Sequence, residues 1–369
     1  MRRVAVAFTA PRTIGYMEEE DRLLEAHEVR LRTLYSGISA GTELTGFRGT
    51  NPYLNRRWDE SLRLFINDPQ HETIQYPIKA WGYEEVGEVV EVGSQVEDIP
   101  LGSIVYGTWG HRTHHIVTAY YARERLLPPG VDPILGIFSQ IGAIALNGIL
   151  DSAIRLGETV AVFGLGIVGM LVAQLAKLSG AEVIGVDLVP FRLDLARQLG
   201  IDHVIDGSQG SAAEAIKAIT RGRGADVCIE ASGASVALNE AIRACAYSSK
   251  VVTLGFFQGN AHGLFLGEEF HHNRVNIVCS QISGQAPDLQ HRWNGLRLAQ
   301  TFMRLAVQGK LQLYPLITHI MPAAKASALF KLLDRNAPEV LQAVIDFRQE
   351  LPPTLKVLPL RKEEVVAVA

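Results

Sequence analysis

Cysteine is scarce in this chain. Among 369 residues there are only Cys228, Cys245 and Cys279, too few and too scattered for a disulfide framework in a protein of this size. Long apolar runs are missing as well: no stretch approaches the roughly 18 uninterrupted apolar residues of a membrane span. The opening Met1-Arg2-Arg3-Val4-Ala5-Val6 turns polar again by Pro11-Arg12, without the apolar core of a secretory signal. Nor is one sign of charge in excess. Lysine and arginine number 35 against 39 acidic residues, a formal net charge of -4, which leaves no electrostatic footprint for nucleic acid or an anionic membrane. Basic clusters such as Arg56-Arg57 are short and local. There is no internal repeat and no low-complexity segment. Together these absences predict a cytoplasmic protein whose ligand is a small molecule, with no nucleic-acid or membrane partner.

What is present is an ordinary globular composition, 47% hydrophobic and 20% charged, in a chain long enough for about two or three domains. Over residues 1–136, glycine and proline break the sequence into short β-branched runs such as Glu85-Val86-Gly87-Glu88-Val89-Val90-Glu91-Val92-Gly93, whose period of two predicts a half-buried β domain. Over residues 137–290 apolar runs at Val160–Phe163, Val183–Val186, Val227–Glu230, Val251–Leu254 and Asn276–Cys279 alternate with helical stretches. That alternation predicts an α/β fold with a doubly wound parallel sheet. Residues 291–350 offer two helices and two strands, too few for an independent domain, and are expected to pack back on the first one. Residues 351–369, opening with Leu351-Pro352-Pro353, form an extension without an assigned structure.

The clearest motif is Gly164-Leu165-Gly166-Ile167-Val168-Gly169. A bare G-x-G-x-x-G is common, but this one follows the strand Val160–Phe163, opens a helix from Met170 to Leu178, and precedes a second strand ending in Asp187. In that setting Gly164 permits the tight turn, Gly166 lets the backbone approach a pyrophosphate, and Gly169 allows helix to pack closely on sheet. The helix amino terminus then offers N–H groups and a positive dipole end to the phosphates. Asp187, 23 residues after Gly164, can accept hydrogen bonds from ribose hydroxyls and repel a 2′-phosphate, which favours NAD over NADP. Arg192 lies close enough to hold a 2′-phosphate, although packing near the adenine suits it better. Ser232, Gly255 and Phe256 follow two later strands, where ligands of open α/β sheets bind.

These residues resemble the medium-chain dehydrogenase/reductase superfamily over nearly the whole chain. Ser36-Gly37-Ile38-Ser39-Ala40-Gly41-Thr42-Glu43 looks like the family's S-G-I-C-G-T-D segment, and Trp81-Gly82-Tyr83-Glu84 before Val86-Gly87-Glu88-Val89 looks like G-H-E-x-x-G-x-V. Leu316-Ile317-Thr318-His319 also matches. The resemblance implies a GroES-like β-rich catalytic domain plus a Rossmann doubly wound parallel-sheet domain, a nicotinamide cofactor, and a homodimer or homotetramer. It also marks a departure. The three positions of the family's catalytic zinc ligands hold Ala40, Tyr83 and Ser139, and no cysteine precedes Cys228, so neither the catalytic zinc nor the four-cysteine structural zinc is expected. Within the superfamily the chain is most similar to a zinc-lacking branch that includes bacteriochlorophyllide a dehydrogenase-like proteins. Gly110-His111 before His115-Ile116-Val117, and Ala145-Leu146-Asn147-Gly148-Ile149, carry that likeness.

Without zinc, another group must manage the proton and the charge on the substrate oxygen. His111 is the leading acid/base by its ordinary pKa near neutrality. Tyr83, in place of the histidine ligand, can donate to a substrate oxygen, Thr42 matches the family's proton-shuttling hydroxyl, and Glu84 is a further catalytic candidate. Substrate contacts are expected from Trp109, Asn147, and Arg56 and Tyr53 in the interval 50–78, which either folds over the substrate or is a solvated loop. The doublets His114-His115 and His271-His272, read as strand residues, point to opposite faces and make no metal clamp. The expected activity is interconversion of a secondary alcohol, borne by a polyol, sugar or larger hydroxylated metabolite, with its ketone. A reductase of activated double bonds and a non-catalytic dinucleotide-binding sensor are the alternatives.

Overall fold

A computed structural model describes residues 3–68 and 73–359. Parts of the 50–78 interval and of the carboxyl-terminal extension, namely 69–72 and 360–369, lie outside the described residues. The chain divides into two compact units: Met1–Ile137, His319–Ala337 and Ala343–Ala369 in the first, Phe138–Thr318 and Pro338–Gln342 in the second.

The first unit opens with β1 (Val4–Ala10), β2 (Thr13–Glu18), β3 (Glu28–Ile38), the helix α1 (Ala40–Arg48), β4 (Arg57–Asp59), β5 (Leu64–Ile66), β6 (Ile78–Lys79), β7 (Glu85–Val92), β8 (Ile104–Gly107), β9 (His114–Thr118) and α2 (Ala119–Arg123). Val29, Leu31, Val89, Val105 and Val117 pack together on the inner face of the larger sheet, as the period-two pattern requires. β3 is the hub: it pairs antiparallel with β7 and β9. The interval 50–78 contains a short antiparallel hairpin of β4 and β5, in which Phe65 meets Trp58 and Tyr53 with ring centroids 4.9 and 5.1 Å apart.

The second unit holds α3 (Phe138–Ser152), β10 (Thr159–Phe163), α4 (Ile167–Leu178), β11 (Glu182–Asp187), α5 (Pro190–Gln198), β12 (His203–Asp206), α6 (Ala212–Ile219), β13 (Ala225–Glu230), α7 (Ser235–Ala244), β14 (Cys245–Thr253), β15 (Asn276–Cys279) and α8 (Gly295–Val307). Its six strands run parallel in the order β12-β11-β10-β13-β14-β15. The strand order reverses between β10 and β13, where ligands of such sheets bind. The second unit runs on past residue 290 because α8 packs on α3: Gly142 has no side chain, and a Cβ there would run into the Phe302 ring. Sequence reading had returned this helix to the first domain. Among the described residues one helical stretch, Pro133–Ser152, is long and apolar enough to cross a membrane, and 78% of its apolar window is buried, as in a core helix.

The chain then returns through β16 (Ile317–Pro322), α9 (Ala326–Asp334) and β17 (Gln342–Asp346). β17 pairs antiparallel with β3, from Ala343 opposite Ile38 to Asp346 opposite Tyr35. α9 sets Phe330 against Phe8 and Phe47, at centroid distances of 5.2 and 5.6 Å. All three rings are buried to within 1%; each removes apolar surface worth about 1.5–3 kcal/mol. Of the extension, Leu358 bonds back along β2, its N–H donating to the Tyr16 carbonyl at 2.7 Å.

Candidate active site

In the second unit, β10 ends in Gly164, whose φ of +88° lies in the left-handed region open to glycine. A Cβ there would stand 2.7 Å from that of Ser232. The Gly164 N–H donates to Val186 O at 2.8 Å, and the Leu165 N–H to Asp187 Oδ2 at 2.6 Å, so the turn is fastened to the neighbouring strand β11. Gly166 caps α4 without a side-chain hydrogen bond, leaving the first-turn amides of Ile167 and Val168 to an anion. Gly169 lies directly over the Gly164 carbonyl, where any side chain would collide.

Asp187 Oδ1 accepts the N–H groups of Leu188 and Val189 at 2.7 and 2.9 Å. Arg192 Nη1 lies 3.7 Å from its Oδ2. The acid therefore shapes the turn, and Arg192 sits beside it.

The loops after β13 and β14 meet the same turn through Glu230, which sequence reading passed over as a strand residue. It is fully buried. One carboxylate oxygen accepts the Ser232 N–H at 2.8 Å and the Ser232 hydroxyl; the other accepts the Gly233 N–H at 3.1 Å. Its carbonyl accepts from Leu254 and Gly255 at 2.8 and 3.1 Å. Gly255 has room for no Cβ, which would lie 2.6 Å from the carboxylate. Burial pushes this carboxyl above the usual range against those hydrogen bonds. Ser232 and Gly255 are thus brought together, with Phe256 next to them and 44% exposed.

In the first unit, the Tyr83 hydroxyl bonds the Ser39 hydroxyl and lies 3.3 Å from Thr42 Oγ1. Ser39 is the residue before α1 and Thr42 is in its first turn, so helix and tyrosine form one hydroxyl trio. Burial and the charge of Glu84 push the Tyr83 phenol well up, which keeps it protonated. Glu84 itself is fully buried and its carbonyl accepts the Gly37 N–H at 2.7 Å.

His111 lies deeper, 1% exposed, between Glu43 and Glu85. Its Nε2 is 2.6 Å from Glu43 Oε2 and its Nδ1 2.6 Å from Ser36 Oγ, and Ser36 donates to Glu85 Oε1 at 2.8 Å. An ionised carboxylate only accepts, and a serine hydroxyl spent on Glu85 can only accept from the ring. With both carboxylates ionised, both ring nitrogens carry hydrogens. Burial lowers the imidazole pKa, but Glu43 and Glu85 outweigh it and the net shift is upward. A direct acid/base role for His111 does not survive this geometry, since neither nitrogen has a free side.

Two expected substrate contacts are also corrected. Trp109 is 5% exposed, its indole N–H donates to Thr33 Oγ1 at 2.9 Å and its ring stacks on His115 at 6.0 Å, so it belongs to the sheet's core. Asn147 is fully buried, and its amide donates to Ser280 Oγ, Gly284 O and Asp151 at 3.1–3.2 Å. Arg56 is exposed and Tyr53 packs on the hairpin. His271-His272 are themselves helical, not strand residues.

The positions where the family holds zinc do not fit that metal. Ala40 has only a methyl group, Tyr83 is a protonated phenol already bonded to two hydroxyls, and Ser139 offers one buried hydroxyl. Zinc wants three strong N, S or O donors; among the described residues no group of His, Cys, Asp and Glu could supply them.

A Rossmann-type parallel sheet with an intact glycine turn, in one chain with a β-rich unit, defines a two-domain nucleotide-fold protein of the dehydrogenase type. Residues 168–297 match the family model of zinc-binding dehydrogenases. D-guloside 3-dehydrogenase of Escherichia coli K12 is 30% identical over 345 residues, which span 92% of this chain and 98% of that protein. Two solved structures share the fold: a Sinorhizobium meliloti protein bound to NADP (TM-score 0.73, 21% identity, 94% of this chain and 99% of the other) and an alcohol dehydrogenase from Escherichia coli CFT073 complexed with NADH (TM-score 0.72, 19% identity, 94% and 100%). The chain belongs to the medium-chain dehydrogenase/reductase superfamily.

Proposed function

We propose that this protein is a zinc-independent, NAD-dependent oxidoreductase that interconverts a secondary alcohol and its ketone by hydride transfer. The observation that carries this reading is the hydroxyl trio of Tyr83, which stands at the position of a lost metal ligand, with Ser39 and Thr42, while the nucleotide turn with Asp187 is complete. A polyol, a sugar or a larger hydroxylated metabolite is the substrate class, in keeping with the sugar-derivative specificity in the name of the Escherichia coli relative.

Bound nicotinamide supplies the hydride donor and acceptor. The chain's residues handle the oxygen. In ketone reduction the protonated Tyr83 donates to the oxygen as negative charge develops, the stage at which a preorganised donor contributes most. Thr42 and Ser39 hold the phenol and relay to it a proton drawn from solvent. In alcohol oxidation the proton runs back along the same hydroxyls to solvent. The Asp187 carboxylate selects NAD by accepting from the ribose diol and repelling a 2′-phosphate.

Turnover of polyols, glycosides and secondary alcohols with NAD, on protein whose metal content has been measured, tests this. Stoichiometric zinc, or a clear preference for NADPH in titration, would refute it. The reading includes the cytoplasm as the site of action, supported by three unpaired cysteines, and a homodimer or homotetramer. The open edge of the parallel sheet at β15, where Ile277 is 39% exposed, supports self-association, since unpaired edges invite pairing. Sedimentation of Ile277→Lys should show dissociation; an unchanged oligomer removes that edge from the interface.

A further inference from the structure

Nothing in the proposed chemistry requires two carboxylates and a histidine to be sealed inside the β-rich unit. Glu43, Glu85 and Ser36 are fully buried, and His111 is 1% exposed. Such a cluster is expensive to assemble, and a buried charge is tolerated only when it is paired and hydrogen-bonded. Every member here is tied to the next. Glu85 also accepts the Trp109 N–H at 2.7 Å, Ser36 bridges Glu85 to the imidazole, and the imidazole holds Glu43. The other oxygen of Glu43 accepts the backbone N–H of Ser39 at 2.8 Å, and Ser39 is the residue whose hydroxyl bonds Tyr83. One continuous line of hydrogen bonds thus runs from the sheet, through His111, to the reacting phenol.

We infer that His111 is a positioning residue for Tyr83, acting through Glu43 and the Ser39 backbone. This deepens the proposed function and rests on its assignment of Tyr83. Rotation of the Glu43 carboxylate would release the Ser39 N–H and shift the Ser39 hydroxyl; the His111 ring holds that carboxylate at one oxygen while the Ser39 N–H occupies the other. The ring is itself immobilised: Gly82, next to Tyr83 and at φ +123°, leaves space that the imidazole fills, so a Cβ there would lie 2.7 Å from His111 Cε1, and Phe330 meets the ring edge-on at 5.9 Å. The line cannot carry a proton to the phenol, because between Glu43 and the Ser39 hydroxyl it passes through a backbone N–H. Its role is placement.

His111→Leu removes both ring bonds at similar volume. His111→Gln keeps an amide N–H for Glu43, the contact through which the placement runs, but faces Ser36 with an oxygen, so the Ser36 hydroxyl must turn to it from Glu85. His111→Leu should lower kcat at least tenfold with NADH affinity within about twofold of wild type, and His111→Gln should restore most of kcat. Because His111 and Ser39 act through one contact, the double variant His111→Leu/Ser39→Ala should be no slower than the worse single variant. Multiplying losses, or a loss of kcat in His111→Gln equal to that in His111→Leu, would overturn the inference. A readout independent of substrate comes from tyrosine labelled at Cζ, with the Tyr83 resonance assigned through Tyr83→Phe. That signal should move in His111→Leu and return in His111→Gln; a signal indifferent to both variants would also overturn it. A wild-type protein inactive on every substrate would refute the role of Tyr83 in turnover while the resonance still decides the positioning.

Discussion

Replacing Asp187 by asparagine changes one oxygen to an NH2 group at nearly constant shape. The carboxylate now accepts three backbone N–H groups, from Leu165 on one oxygen and from Leu188 and Val189 on the other. Asparagine can face its oxygen to only one of these sets, so at least one buried N–H loses its acceptor, a loss of about 1–3 kcal/mol in stability. In cofactor binding two effects separate. The ribose diol loses a charged acceptor, which should weaken NADH by about tenfold or more. The second effect is repulsion of a 2′-phosphate: two unit charges about 4 Å apart at an effective dielectric near 20 repel by ~4 kcal/mol, and Asp187 is only 7% exposed, so solvent screens little of it. Arg192, 3.7 Å away, offsets part. Wild type should therefore prefer NADH over NADPH by about a hundredfold, and Asp187→Asn should narrow the preference to about tenfold or less. Titration of nicotinamide fluorescence with each cofactor measures both. An NADPH preference in wild type, or an unchanged ratio in the variant, would refute the reasoning.

Gly164→Ala places a Cβ at φ +88° and 2.7 Å from Ser232; thermal melting should show a lower Tm, and NADH titration a loss of affinity greater than in Asp187→Asn. Trp109→Phe leaves Thr33 without its indole donor and should lower stability by about 1–3 kcal/mol in denaturant unfolding with kcat/KM unchanged; a large fall in kcat/KM would return Trp109 to the substrate site. The Arg22 guanidinium, bound to Glu28 through both oxygens at 2.6 and 2.7 Å, holds that carboxyl at about 2 against an ordinary 4.5. A depressed carboxyl stabilises the fold above its unfolded pKa and loses that contribution as pH falls through the folded one. The Tm gap between wild type and Arg22→Ala should accordingly be full above about 4.5 and close toward pH 2; a gap independent of pH would show that the pair contributes nothing through ionisation.

The parallel sheet was legible because its central strands β10, β11 and β13 are buried on both faces and read as apolar runs; β12 escaped notice because His203–Asp206 is short, only half-buried and at the sheet's edge. The nucleotide turn was legible for a different reason: its glycines, helix and acid are close in sequence and each has a local geometric duty. The oxygen-handling residues were only partly so. Tyr83 and Thr42 lie in motifs, but His111 looked like an acid/base since composition cannot show that Glu43, Ser36 and Glu85, far apart along the chain, close around its ring. Ser39 was within a quoted motif, and its pairing with Tyr83 depends on how α1 starts. Trp109 and Asn147 illustrate the same limit: the indole N–H of one and the amide N–H groups of the other reach partners more than seventy and more than a hundred residues away.

The fully buried Glu230 makes the two loops behind the nucleotide turn a single mechanical part. The amides of Ser232 and Gly233 hang on its carboxylate, those of Leu254 and Gly255 on its carbonyl. Neither loop can lift away without breaking bonds to the residue that holds the other. In hydrogen exchange these four amides should open as one cooperative group, and a cofactor that clamps either loop should slow exchange in both.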